Sequence, residues 1–186
     1  LVYAGLIPHL RKQDKWIIIN FRPGQEPIMA LASALSTFMP DELSIRKLYE
    51  RFSEDGIRLS NVLDEILSKY PKHRLLLFVD QFEEIFTLCK DENEKRMLLE
   101  MLAFNRFDTK NSIELGFSPN QTHTKVTNPY RSVITMRADF LGKALSDSQF
   151  SALLSDSGDK KGVLNRIMVG SMTLEELQSA IEKPAA

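Results

Sequence analysis

Two rhythms of apolar residues run along this chain. Leu75-Leu76-Leu77-Phe78-Val79 is an unbroken apolar run. A half-exposed strand would alternate, so this run predicts a central strand of a parallel sheet, covered on both faces. Trp16-Ile17-Ile18-Ile19-Asn20-Phe21 is a second strand signal, rich in β-branched and aromatic residues, and Arg22-Pro23-Gly24 closes it with turn chemistry. Ser132 to Arg137 predicts a third strand and Arg166 to Val169 a short fourth.

Between these runs the spacing turns helical. Val2, Leu6 and Leu10 mark a helix over Leu1 to Leu10 that bends or stops at Pro8. Further helices are predicted over Pro27 to Phe38, Asp41 to Phe52, Ser60 to Tyr70, Phe82 to Leu88, Asp91 to Phe104, Ala138 to Leu145 and Gln149 to Leu154. Thr173-Leu174-Glu175-Glu176 is a capping box that opens a last helix, with Leu174, Leu177 and Ile181 expected to face inward. Strands alternating with helices predict an α/β fold with a mainly parallel sheet.

Composition narrows this picture. With 186 residues, 43% hydrophobic and 26% charged, the chain can build one domain with a proper core. A formal net charge of -1 gives no basic field for nucleic acid or an anionic membrane surface. No apolar run is long enough to span a bilayer. The single cysteine, Cys89, excludes an internal disulfide framework and fits a reducing, cytoplasmic setting. Residues 105–131 are polar, carry Pro119 and Pro129, and show no sustained period; they read as a flexible insertion. The chain opens inside an apolar-periodic segment and stops just past a helix, so it is expected to be part of a longer protein.

The candidate chemistry gathers after the Leu75 run. Asp80 sits at the carboxyl end of its strand, where open α/β sheets bind ligands. Glu83 and Glu84 follow at once, and a neighbouring strand ends in Thr135-Met136-Arg137. Such a set can hold a hard cation through one or two carboxylates, orient a water, and reach a phosphate with Arg. Plainer roles stand beside these. Asp80 can cap the helix near Phe82, Glu83 and Glu84 can be favourable charges at a helix amino terminus, and Arg137 can pair with Asp139. Cys89 reads as a small buried apolar residue.

Together these segments resemble the STAND class of P-loop ATPases, in particular the bacterial branch often found before WD-type repeats. Leu75 to Cys89 is similar to its Walker B segment, and Thr135-Met136-Arg137-Ala138-Asp139-Phe140-Leu141 to its sensor strand. Leu1 to Arg11 resembles the helix after its phosphate loop, Arg22-Pro23-Gly24 with Pro27 the exit of its second strand, and Met172 through Ala185 the helix ending the ATPase core. The resemblance implies a P-loop NTPase-like three-layer sandwich and a nucleotide-binding switch: ATP with Mg2+, slow hydrolysis, homo-oligomerisation through this domain, and repeat or effector domains in the same chain. It implies Asp80 as the magnesium residue, Glu83 or Glu84 positioning the hydrolytic water, Arg137 sensing the terminal phosphate, and Pro184 near the adenine.

No GxxxxGK[ST] occurs in this sequence. In the family that loop and its strand would precede Leu1, so the fold is expected without its first strand and phosphate loop, and the chain alone is expected to be inactive. A sheet missing a middle strand is expected to leave a gap, filled by a partner chain or a rearranged strand order. Two other functions remain. One is a non-catalytic scaffold or oligomerisation domain of the same fold. The other is an AAA-type initiator ATPase, which usually carries Glu directly after the Walker B Asp, where this chain has Gln81.

Overall fold

The Leu75–Val79 run is the middle of the sheet. Strand β2 (Arg74–Val79) lies between β1 (Trp16–Phe21) and β3 (Tyr130–Ile134), parallel to both. All five residues from Leu75 to Val79 are buried, and each such side chain contributes about 1.5–3 kcal/mol by leaving water. The computed structural model describes residues 2–13, 15–39, 44–54, 56–104, 129–154 and 167–182.

Helices cover both faces. Ile17, Ile19 and Phe21 join Leu75, Leu77 and Val79 in the larger core. That core is completed by α2 (Pro27–Ser36), α3 (Ile45–Ser53), α4 (Leu59–Lys69) and α6 (Glu92–Phe104), through residues such as Leu31, Phe52, Val62 and Leu98. On the opposite face lie Leu76 and Phe78. A π-helical turn (Val2–Leu6) running into α1 (Ile7–Arg11) covers it. The Tyr3 ring meets Phe78 edge-on at 5.3 Å, and Asn20 Nδ2 donates to Tyr3 Oη at 3.2 Å. The winding tightens from π to α beside Pro8, which has no N–H and crowds the preceding turn, so the proline changes the winding without ending the helix. The result is a three-layer α/β sandwich of the P-loop NTPase type.

The expected gap is not there: among the described residues β2 is paired along its length with a strand on each side. Pairing β2 therefore needs neither a partner chain nor a rearranged strand order. Strand β3 starts at Tyr130 rather than Ser132, because the Leu75 N–H reaches the Pro129 carbonyl at 2.9 Å and sets the register. The rest of the predicted insertion, 105–128, lies outside the described residues, as does 156–162.

Two expectations near the end are corrected. Arg166 lies outside the described residues, and Ile167, Met168 and Val169 form no strand; they are 84%, 74% and 68% exposed. β-propensity reflects a fit to a half-buried pleated surface, and none is offered there. The capping box does form: the Thr173 N–H donates to Glu176 Oε2 at 2.8 Å and the Glu176 N–H to Thr173 Oγ1 at 3.2 Å. It opens α9 (Leu174–Glu182), but Leu174, Leu177 and Ile181 face solvent instead of a core. An amphipathic pattern fixes a helix face, not the partner it meets.

Side-chain caps set the start of α3 and of α6. Ser44 caps α3, accepting from the Lys47 N–H at 3.3 Å, while 41–43 lie outside the described residues. Asp91 caps α6 through the Asn93 N–H at 2.8 Å. Glu94 accepts the Tyr49 hydroxyl at 3.0 Å, which pushes the Tyr49 phenol above its usual pKa. After β3 come a 3₁₀ turn (Ala138–Phe140), α7 (Leu141–Ser146) and α8 (Ser148–Leu154).

Candidate functional site

The sheet register builds the site. Phe21 pairs with Val79 and Val79 with Ile134, so the next residue of each strand stands in one row: Arg22, Asp80, Thr135. Asp80 is held from both sides. Its Oδ2 accepts from Arg22 Nε at 3.1 Å and its Oδ1 from the Thr135 hydroxyl at 2.8 Å. Its own N–H donates to the Phe21 carbonyl at 3.0 Å.

Gln81 then turns the chain out of the strand. Its φ is 52°, in the left-handed region that side chains with a Cβ rarely enter. The turn is fixed by Thr135: the Gln81 N–H donates to Thr135 Oγ1 at 3.2 Å and the Phe82 N–H to the Thr135 carbonyl at 2.9 Å. Replacing Gln81 with Val is expected to cost about 1–2 kcal/mol, because a β-branched residue resists this backbone. Gly at the same position is expected to stay within about 1 kcal/mol of wild type. Urea unfolding of the two variants checks this, and equal stabilities would show that the turn carries no strain.

The left-handed turn buries Phe82 and sends the two glutamates in different directions. They lead into the short helix α5 (Glu84–Thr87), and no side chain caps it. Asp80 thus accepts from across the sheet and does not cap α5. Glu83 is only 8% exposed, and its Oε2 accepts from the Arg137 N–H at 3.3 Å. Glu84 Oε2 instead accepts the Gly24 N–H at 3.0 Å, bracing the exit of β1, where Gly24 has a φ of 61° that only glycine adopts freely. Arg137 directs its guanidinium to Asp139, with contacts of 3.2 and 2.7 Å, and its Cζ lies 5.5 Å from the Phe140 ring centroid.

Asp80, Gln81, Glu83, Thr135, Met136 and Arg137 line one open cavity of about 250 Å³, and Arg22 stands outside its lining. Glu84 does not line it, and Pro184 lies outside the described residues. A larger hollow of about 500 Å³ runs along Met168 to Met172 with Glu176. It has a single ionisable side chain, so the chemistry is argued from the smaller cavity.

Among the described residues no cluster of three or more His, Cys, Asp or Glu side chains could cage a metal ion. Magnesium does not need one: it keeps most of its waters and takes one or two carboxylates together with phosphate oxygens. The all-oxygen set of Asp80, Thr135 and Glu83 around the cavity fits that demand. Also among the described residues, no helix is long and apolar enough to cross a membrane.

Thr135 and Arg22 are the site residues that reading one segment at a time misses. Neither follows an acidic or glycine-rich signature. Each becomes visible once the strands are set in parallel register and the first residue past each strand end is read across. No curated protein and no solved structure gives a match. The family model for novel STAND NTPase 1 matches residues 1–186. Its match covers the row at the strand ends and every element around it, and the chain belongs to that family.

Proposed function

We propose that this domain is a nucleotide-gated switch that binds ATP with Mg2+ at the carboxyl end of its sheet and hydrolyses it slowly. The observation that carries the reading is the row of Arg22, Asp80 and Thr135, with the buried Glu83 facing the same cavity. Asp80 would hold the ion, partly through water, with the Thr135 hydroxyl fixing the carboxylate's rotation. When bound, magnesium neutralises phosphate charge and draws electron density from the bond to be broken. Glu83 would orient the attacking water, its carboxylate steadied by the Arg137 N–H. Glu84 would brace the β1 exit and not touch the nucleotide.

Arg137 would leave Asp139 for the terminal phosphate. That exchange is cheap, because an exposed ion pair is worth no more than about 1 kcal/mol. Pro184 would approach the adenine. The phosphate loop itself would come from sequence preceding Leu1. Oligomerisation and downstream repeat or effector domains would convert nucleotide state into a signal.

Calorimetric titration with Mg·ATP tests this on the 186-residue chain and on a form extended upstream through a phosphate loop. The extended form is expected to bind and the shorter one to bind weakly or not at all. Asp80→Ala is expected to abolish binding, and Glu83→Gln to keep binding while removing hydrolysis by about 100-fold or more. Absence of binding by both forms would favour the scaffold function over the switch.

A further inference from the structure

We propose that Arg22 is the resident counter-ion of Asp80 and competes with a divalent cation for that carboxylate. The inference rests on the reading of Asp80 as the cation residue, and adds a residue that regulates how readily the cation enters. Two donors occupy Asp80. The Thr135 hydroxyl is neutral and is itself tied to the Gln81 N–H, so it stays in place when a cation arrives. Arg22 carries a full positive charge 3.1 Å from Oδ2. A dication drawn to the same carboxylate repels it, and the two cannot be neighbours without a large Coulomb cost.

The exposures say which of the two partners gives way. The Asp80 side chain is 15% exposed and anchored by Thr135, whereas that of Arg22 is 54% exposed. Once displaced, the guanidinium re-enters water at little cost, while Asp80 has nowhere to go. The backbone beneath Arg22 need not follow, because Pro23 is buried and Gly24 is tied to Glu84. Arg22 therefore acts as a side-chain stopper on a fixed frame. Arg137, the other arginine at this end of the sheet, is paired with Asp139 and does not neutralise Asp80. With Arg22 in place, the carboxylates at the strand ends stay partly neutralised and take up stray metal ions poorly.

The test uses Mn2+ alone, titrated into the 186-residue chain, with free Mn2+ read by electron paramagnetic resonance and the Gln81 and Gly24 amides followed by NMR. Arg22→Gln is expected to lower the apparent Kd roughly two- to fivefold, the range set by a partly exposed ion pair. Arg22→Lys keeps the charge without the Nε donor and is expected to give a smaller gain in the same direction. Asp80→Asn is expected to remove the tightened binding. Unchanged or weaker Mn2+ binding in both Arg22 variants, with Asp80→Asn still removing it, overturns the competition and leaves the proposed cation site standing. Binding that survives Asp80→Asn overturns both, and no binding by any variant overturns the competition at this carboxylate. Thermal melts of each variant accompany the titrations, and Arg22→Lys serves alone if Arg22→Gln does not fold.

Discussion

Phe82→Ala is expected to lower stability by about 3–5 kcal/mol, the range for truncating a fully buried phenylalanine. Phe82 is completely buried directly after the left-handed turn at Gln81. Its ring stacks on Phe150 at 5.4 Å with 27° between planes, and meets Phe86 edge-on at 6.0 Å. Phe86 and Phe150 also touch, at 5.8 Å and 89°, so three rings join α5 to α8. Removing one ring leaves a cavity lined by the other two. The backbone bond from Phe82 to Thr135 is untouched by the change, so the loss is one of packing. Urea unfolding checks it: the midpoint should fall with the slope unchanged. A double-mutant cycle with Phe150→Ala should show a coupling of about 0.5–1.5 kcal/mol. A loss below about 1 kcal/mol would mean that the neighbouring rings collapse into the space.

Asp147→Ala is expected to cost about 2–3 kcal/mol, because one carboxylate serves two structures. Asp147 Oδ1 accepts from the Gln149 and Phe150 N–H groups, both at 3.0 Å, and so caps α8. Its Oδ2 takes Lys95 Nζ at 2.9 Å, tying α8 to α6 with side chains 18% and 16% exposed. Lys95 also lies 5.3 Å from the Phe86 ring centroid, so the tie extends to the aromatic group above. Without Asp147, Lys95 keeps, as its ion pair among the described residues, a 3.2 Å contact with the exposed Glu92. Asp147→Asn preserves a capping oxygen and should recover roughly half of the loss.

The pH dependence follows from the same pair. Burial works to raise the Asp147 carboxyl, but Lys95 and the α8 N–H groups outweigh it and hold the carboxyl below its usual range. Burial works to lower the Lys95 ammonium, but Asp147 and Glu92 outweigh it and raise it. A lowered carboxyl stabilises fully above its unfolded value of about 3.9 and loses that contribution as pH falls through the folded value. A raised ammonium stabilises fully below about 10.4 and loses it as pH climbs through its folded value. The stability gap between wild type and Asp147→Ala should therefore be flat through neutral pH, narrowing below about 3.9 and above about 10.4. A gap that instead changes between pH 5 and 9 would point to some other group.

Much of this fold is legible in the sequence, for a physical reason. Leu75 to Val79 is apolar at every position because helices press on both faces, and that leaves a signal no surface strand can imitate. Asp80 is legible for the converse reason: a carboxylate ending such a run must have an outlet. What is not legible is non-local. Nothing near Thr135 announces that its hydroxyl and carbonyl will hold Asp80, Gln81 and Phe82, since those partners lie more than fifty residues away. Likewise Glu83 and Glu84 are adjacent and chemically alike, and only the left-handed turn separates their roles. The stripe on α9 misleads because periodicity reports a face and not its partner. The short β-branched run at Ile167 misleads because a strand requires a neighbour.

Parallel strands pair only across long connections, and that decides when the row at the strand ends can exist. Arg22 and Asp80 are 58 residues apart, and Asp80 and Thr135 are 55 apart. Local helices form in microseconds, whereas closing loops of this length is costly and slow. A ribosome delivers Arg22 early, Asp80 next and Thr135 last. Until Thr135 has emerged, Asp80 has Arg22 as its partner in the row and no hydroxyl to set its rotation. The candidate site is thus a product of late assembly, finished after the helices that surround it.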